Sequence, residues 1–243
     1  MMMARSGGFW MATAAAGQPV VILGGFLITE EAYAAMADWI REHQGSEVHV
    51  IPVSRFDWML TTWAFGWRRV LDRVHAQVQQ LAAASPTGRV TLIGHSSGGV
   101  MLRLYLSADA FSGRCYAGAQ FCNRLITLGS PHQAQRATPL RAMVDRCYPG
   151  AFSPDVDYVA VAGKLDLTSS NASAFSQRSA VGNYKRIVGE GSIDGDGLVP
   201  VDSALLTGAQ HLVLDDTAHG GLFGNHWYGS PERVALWADQ ISR

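Results

Sequence analysis

Short unbroken apolar runs alternate with amphipathic stretches along this chain. Val20, Val21, Ile22 and Leu23 follow one another without a polar residue and end at Gly24-Gly25-Phe26. Such a run suits a strand buried on both faces of a parallel sheet. Thr29 then offers a cap for a helix with Glu30 and Glu31 in its first turn. Tyr33, Met36, Ala37 and Ile40 recur on one face of that helix. Residues 48–51, closed by Pro52, read as a second strand, and 89–93 as a third. Between them lies a helix with Val70, Leu71, Val74, Val78 and Leu81 as its apolar stripe, and Arg68, Arg69, Asp72 and Arg73 on its wet face. The aromatic-rich segment 56–67, with Trp58, Trp63 and Trp67, is predicted as a loop over the sheet edge.

A helix is predicted over 97–107 and a fourth strand over 125–128. Periodicity is poor from 133 to 157, where Pro139, Pro149, Gly150 and Pro154 interrupt it. That segment is predicted as a small cap or lid over the carboxyl edge of the sheet. Residues 158–161 resume as a strand, 186–188 as a short extended piece, and 212–214 as the last strand. Pro231 then opens a C-terminal helix carrying Val234, Leu236, Trp237 and Ile241. The alternation predicts an α/β chain with a mostly parallel central sheet and helices on both faces. It is read as one domain over 19–243 after a tail of 1–18.

Composition narrows the function. The 243 residues suffice for one sizeable core. Charged residues are 16%, below the usual figure of about 25%, and the net charge is −1. No basic field is present for a phosphate backbone, so nucleic acid is not an expected partner. The three cysteines form no Cys-x-x-Cys pair, and no His-Glu-x-x-His occurs, so neither metal nor cofactor is expected. A Cys115–Cys122 bridge would matter only in an oxidising compartment. The apolar run at 7–16 after Arg5 is similar to a weak secretory signal, but it leaves little room before the first strand. A cytoplasmic protein is expected, with export as the alternative. No apolar run of 18 or more residues suggests a membrane span.

The chemistry gathers at Gly94-His95-Ser96-Ser97-Gly98, between an apolar strand and a helix. This is the Gly-x-Ser-x-Gly nucleophile elbow in its required context. A serine hydroxyl needs a base, and the base an orienting carboxylate, in the chain order Ser, acid, His. His219, in the loop just past the last strand, is the expected base, with His226 as a weaker alternative. His211 precedes that strand and His132 comes before any acid loop. Asp196, between Gly195 and Gly197, is the expected acid, and Asp194 and Asp166 remain candidates. Oxyanion donors are expected from the backbone N–H groups of Ser97 and Phe26.

The stretches 20–26, 94–99, 126–132 and 195–200, and His219 with Trp227-Tyr228-Gly229-Ser230, resemble the lipase-type α/β-hydrolase superfamily. The resemblance is strongest to plant and cyanobacterial hydrolases of that fold. In such lipases the Gly-Asp-Gly-x-Val-Pro pattern carries the catalytic acid, which favours Asp196. The chain departs from many of them in reading Gly24-Gly25 where they read His-Gly. The resemblance implies an α/β-hydrolase fold and a serine hydrolase of carboxylic esters, an esterase or lipase, working through an acyl-enzyme. A thioesterase or acyltransferase would use the same residues, and a non-catalytic ligand-binding module of this fold is the rival of another class. The expected partner is a small-molecule or lipid ester. Peripheral membrane contact through the Trp-rich segment stays open, as does the oligomeric state.

Overall fold

A computed structural model describes residues 17–133 and 138–242. The apolar runs become β1 (Gly17–Leu23), β2 (Ser46–Val50), β3 (Val90–His95), β4 (Cys122–Leu128), β5 (Asp157–Lys164) and β6 (Gln210–Asp215). They form one six-stranded sheet in the order β2-β1-β3-β4-β5-β6, with parallel pairing at every junction. The strands run one to three residues beyond the predicted apolar cores at most ends. Polar residues such as Gln18, Asn123 and Gln210 join the ladder where the sheet meets solvent.

Alternate residues of each strand enter different cores, as a period of two requires. Val21, Leu23, Leu92, Leu125 and Ala160 pack with α3 (Ala64–Ala84) and α4 (Ser97–Leu106). Val20, Ile22, Ile93, Ile126 and Val161 pack on the opposite face with α1 (Ala34–Gln44) and α8 (Pro231–Trp237). Both faces are therefore covered, which is why the strands read as unbroken apolar runs rather than as an alternation.

Four expectations are corrected. The segment 56–67 is not a loop: it holds α2 (Arg55–Leu60) and the start of α3. Ser54 caps α2 by accepting from the Asp57 N–H, and Asp57 answers the Ser54 N–H, so a short helix is stable here. Trp58 and Trp67 are core residues, whereas Trp63 is exposed. Residues 186–188 are not extended: they end α6 (Ala174–Val188), which is followed by the short α7 (Val201–Ala204). Leu236 is not in the buried stripe of α8, which consists of Val234 and Trp237. The Cys115–Cys122 bridge does not form, and Cys115, Cys122 and Cys147 are free thiols.

The segment 133–157 carries α5 (Pro139–Cys147), with residues 134–137 outside the described set. Val144 of α5 is buried in the first core, and Asp145 pairs with the buried Arg103 of α4 at 3.2 Å. The apolar run at 7–16 also lies outside the described residues. Among those described, no helix is long and apolar enough to cross a membrane.

Candidate active site

Ser96 sits between the end of β3 and the first turn of α4, with φ 52° and ψ −123°. That backbone is strained for an L-residue and is held by its surroundings. The reversal is so tight that Cβ atoms do not fit on either side of it. One on Gly94 would lie 2.4 Å from the Gly99 Cα, and one on Gly98 would lie 2.3 Å from the Leu23 carbonyl oxygen. The Ser96 N–H donates to the Leu128 carbonyl at 2.9 Å, which fixes the turn against the neighbouring strand.

The loop after β6 brings His219 to this serine. Its Nε2 lies 2.9 Å from Ser96 Oγ and its Nδ1 lies 2.8 Å from Asp196 Oδ2. Asp196 is fully buried, so each of its oxygens needs donors. Oδ1 accepts from the Leu198 and Val199 N–H groups at 3.0 and 2.7 Å. Oδ2 accepts from His219 and from the Tyr228 hydroxyl, each at 2.8 Å. Tyr228 itself accepts from the Gly163 N–H at 2.6 Å, so its proton is free to point at Asp196. Burial, and then the Asp196 charge, raise the Tyr228 pKa well above its usual value and keep it a neutral donor. With Nδ1–H held by the carboxylate, His219 Nε2 is left to accept from the serine.

The remaining candidates are engaged elsewhere. Asp194 is exposed and pairs with Lys164 at 2.9 Å. Asp166 accepts from the Thr168 N–H and hydroxyl at 2.8 and 2.7 Å. His226 faces Glu232 at 3.6 Å on the surface. His132 is buried against the Thr127 hydroxyl at 3.0 Å, and His211 meets the Leu206 carbonyl at 2.7 Å.

Sequence reasoning missed Tyr33 and His95, which link the turn after β1 to the base. The Tyr33 hydroxyl accepts from the Gly25 N–H at 2.7 Å and so donates to His95 Nδ1 at 2.8 Å. That leaves His95 Nε2–H to donate to the His219 carbonyl at 2.8 Å. Burial first, and the His219 ring second, push the His95 pKa well below its usual value, so it stays a neutral relay of hydrogen bonds. The tyrosine ring also explains the Gly24-Gly25 departure: a Cβ on Gly24 would meet it at 2.6 Å. Beyond it, Ile28 N–H closes a turn on the Gly25 carbonyl at 3.1 Å, with Leu27 at φ 63°. The Phe26 and Ser97 amides donate no hydrogen bond to the described residues, and both residues line one cleft with Ser96 and His219. The cleft holds ≈ 730 Å³, the size of an ordinary small-molecule site. Among the described residues, no three His, Cys, Asp or Glu side chains gather as metal ligands.

A sequence model of the family described as palmitoyl protein thioesterase matches residues 19–186. The chain belongs to the palmitoyl protein thioesterase family. The matched stretch contains Ser96 and stops short of Asp196 and His219, which the geometry adds. A gene product of Listeria innocua shares the fold with a TM-score of 0.56 at 15% identity, covering 91% of this chain and 93% of its own. A Xanthomonas campestris hydrolase of the α/β superfamily aligns with a TM-score of 0.50 at 14% identity, covering 92% and 99%. Aspergillus fumigatus lipase B gives 0.50 at 13% identity, covering 96% of this chain and 55% of the lipase. A search of curated protein sequences finds no match. The chain has the α/β-hydrolase fold.

Proposed function

We propose that this chain is a serine hydrolase that cleaves carboxylic esters, thioesters included, through an acyl-enzyme. One observation carries the reading: His219 bonds Ser96 Oγ through Nε2 at 2.9 Å and Asp196 through Nδ1 at 2.8 Å. Ser96 Oγ attacks the acyl carbon as its proton passes to His219 Nε2. Asp196 holds the imidazole in the tautomer that leaves Nε2 basic, and it offsets the charge that forms there. The Phe26 and Ser97 amides, free of other partners among the described residues, receive the oxyanion, and the N-terminus of α4 favours the same charge. His219 then returns the proton to the leaving alcohol or thiol. Water repeats the attack on the acyl-enzyme, with His219 again as base. The thioester part of the reading is supported by the family to which the chain belongs.

The test is covalent. A fluorophosphonate probe is expected to label the wild type at Ser96 and to leave the Ser96→Ala protein unlabelled. A p-nitrophenyl ester and a matched acyl thioester are both expected to turn over in wild type and in neither case with Ser96→Ala. A folded wild type that resists the probe would leave the ligand-binding module as the better reading.

A further inference from the structure

We propose that the substrate of this site carries a carboxylate or phosphate group close to the scissile carbonyl, and that Arg141 docks it. The inference rests on Ser96 being the nucleophile and adds the chemical class of what it attacks.

Arg141 stands in the first turns of α5, and its Nη2 donates to the Ser97 hydroxyl at 2.6 Å. The guanidinium therefore lies one residue from the nucleophile, on the wall of the same cleft. Its partner there is neutral. No carboxylate comes within 4.0 Å of it among the described residues, and the stretches outside the description contain no Asp or Glu side chain. The nearest acid on its own helix, Asp145, is already engaged by Arg103 at 3.2 Å. Burial lowers the Arg141 pKa, and the distant Asp145 offsets only part of that. A half-buried cation without a counter-ion is left poorly matched unless a ligand supplies the charge. A neutral ester would leave it unmatched.

The rest of the cleft points the same way. Arg55 from α2 and Arg186 from the last turn of α6 also line it, and no Asp or Glu does. The exposed Glu31 faces Arg55 from outside the cleft. The remaining wall is apolar, with Leu27, Ile187, Leu198, Leu222 and Phe223. Three cations above an apolar floor fit a ligand with an apolar body and one anionic end. A planar guanidinium recognises carboxylate and phosphate alike, through paired N–H donors. The anion sits either on the acyl part or on the leaving group.

Two matched pairs separate these sources. For the acyl side, kcat/KM is compared for p-nitrophenyl hemiglutarate and p-nitrophenyl valerate. For the leaving group, S-butyryl 3-mercaptopropionate is compared with its uncharged methyl ester. At least one anionic member is expected to be favoured by about tenfold or more, a size typical of one charge-assisted contact. The winning pair identifies the source. Arg141→Gln is expected to bring that ratio to about one, and Arg141→Lys to keep part of it. Raising the ionic strength is expected to erode the preference in wild type, a readout that needs no variant. The proposal is overturned if neither anionic substrate is preferred in a Ser96-dependent reaction, or if Arg141→Gln folds and keeps the ratio. Turnover of the neutral esters by Ser96→Ala would instead overturn the nucleophile assignment, which is a different failure.

Discussion

Asp196 accepts four hydrogen bonds while fully buried, and all four depend on its being a carboxylate or on its position beside Leu198 and Val199. An amide there would turn one N–H pair toward the donors of His219 or Tyr228. Asp196→Asn is therefore expected to lower kcat by a factor on the order of 10⁴, because the imidazole is held in the wrong tautomer. Asp194→Asn removes only an exposed pair with Lys164 and is expected to change kcat by less than about twofold, since surface pairs contribute little. Turnover of a soluble p-nitrophenyl ester by both variants, with circular dichroism to confirm folding, checks the contrast. A large loss in Asp194→Asn with Asp196→Asn little changed would return the acid role to Asp194. Position explains the difference: both aspartates follow the chain into one tight loop, but only Asp196 is turned inward.

At the scale of elements, α2 does more than cover the sheet edge. The Trp58 indole N–H donates to the Ile28 carbonyl at 3.0 Å, so the helix steadies the turn that carries Phe26. Asp57 anchors α2 in turn, pairing with Arg69 at 2.8 Å and Arg73 at 2.7 Å while remaining buried. The Arg73 guanidinium first, with the Ser54 and Arg69 hydrogen bonds, holds the Asp57 carboxyl well below the usual range against the opposing effect of burial. Asp57→Asn is expected to destabilise the protein by about 1–3 kcal/mol at neutral pH. The sign follows from the depressed folded-state pKa. The stabilisation is complete above the unfolded value of about 3.9 and is lost as pH falls below it. Urea melts should therefore show wild type and variant well separated at neutral pH and converging on acidification below about pH 4. A gap that persists undiminished in acid would mean that the charge is not what Asp57 contributes.

At the scale of the whole molecule, the site is tied to the helix near the C-terminal end of the chain. The Trp237 indole of α8 donates to the Tyr228 carbonyl at 3.0 Å, and Tyr228 carries the bond to Asp196. Trp237 is fully buried in the core between the sheet and α1. Trp237→Ala is expected to cost about 3–5 kcal/mol through the cavity it leaves, lowering the Tm by roughly 10 °C in a chain of this size. Calorimetry checks the stability. The variant that remains folded is also expected to lose activity, because Tyr228 is no longer fixed. Full activity at low temperature would make Trp237 a packing residue alone.

The elements whose signals are local were legible in the chain. The apolar runs read at 20–23, 48–51, 89–93, 125–128, 158–161 and 212–214 became strands, and Gly94 to Gly98 placed Ser96 because a tight reversal tolerates few residue types. Asp196 and His219 were expected from chain order and turn chemistry, and the fold brings them to Ser96. The capping pair Ser54 and Asp57 was also a local signal, and it marks α2 in a stretch whose aromatics suggested a loop. By contrast, α6 buries only Ser176, Ala180 and Tyr184, so its inward face shows no hydrophobic period. The polar partners of the site were hidden for a related reason. Tyr33 satisfies a hydrophobic stripe by its ring, and its hydroxyl finds His95 across 62 residues of sequence. His95 in turn finds the His219 carbonyl across 124. Arg141 lies where the periodicity is poorest, and nothing in its neighbours along the chain pairs it with Ser97. Strands and turns are specified by residues a few positions apart. The bracing of the acid, the turn after β1 and the charge of the cleft depend on which distant side chains remain unpaired once the sheet closes, and only the tertiary structure decides that.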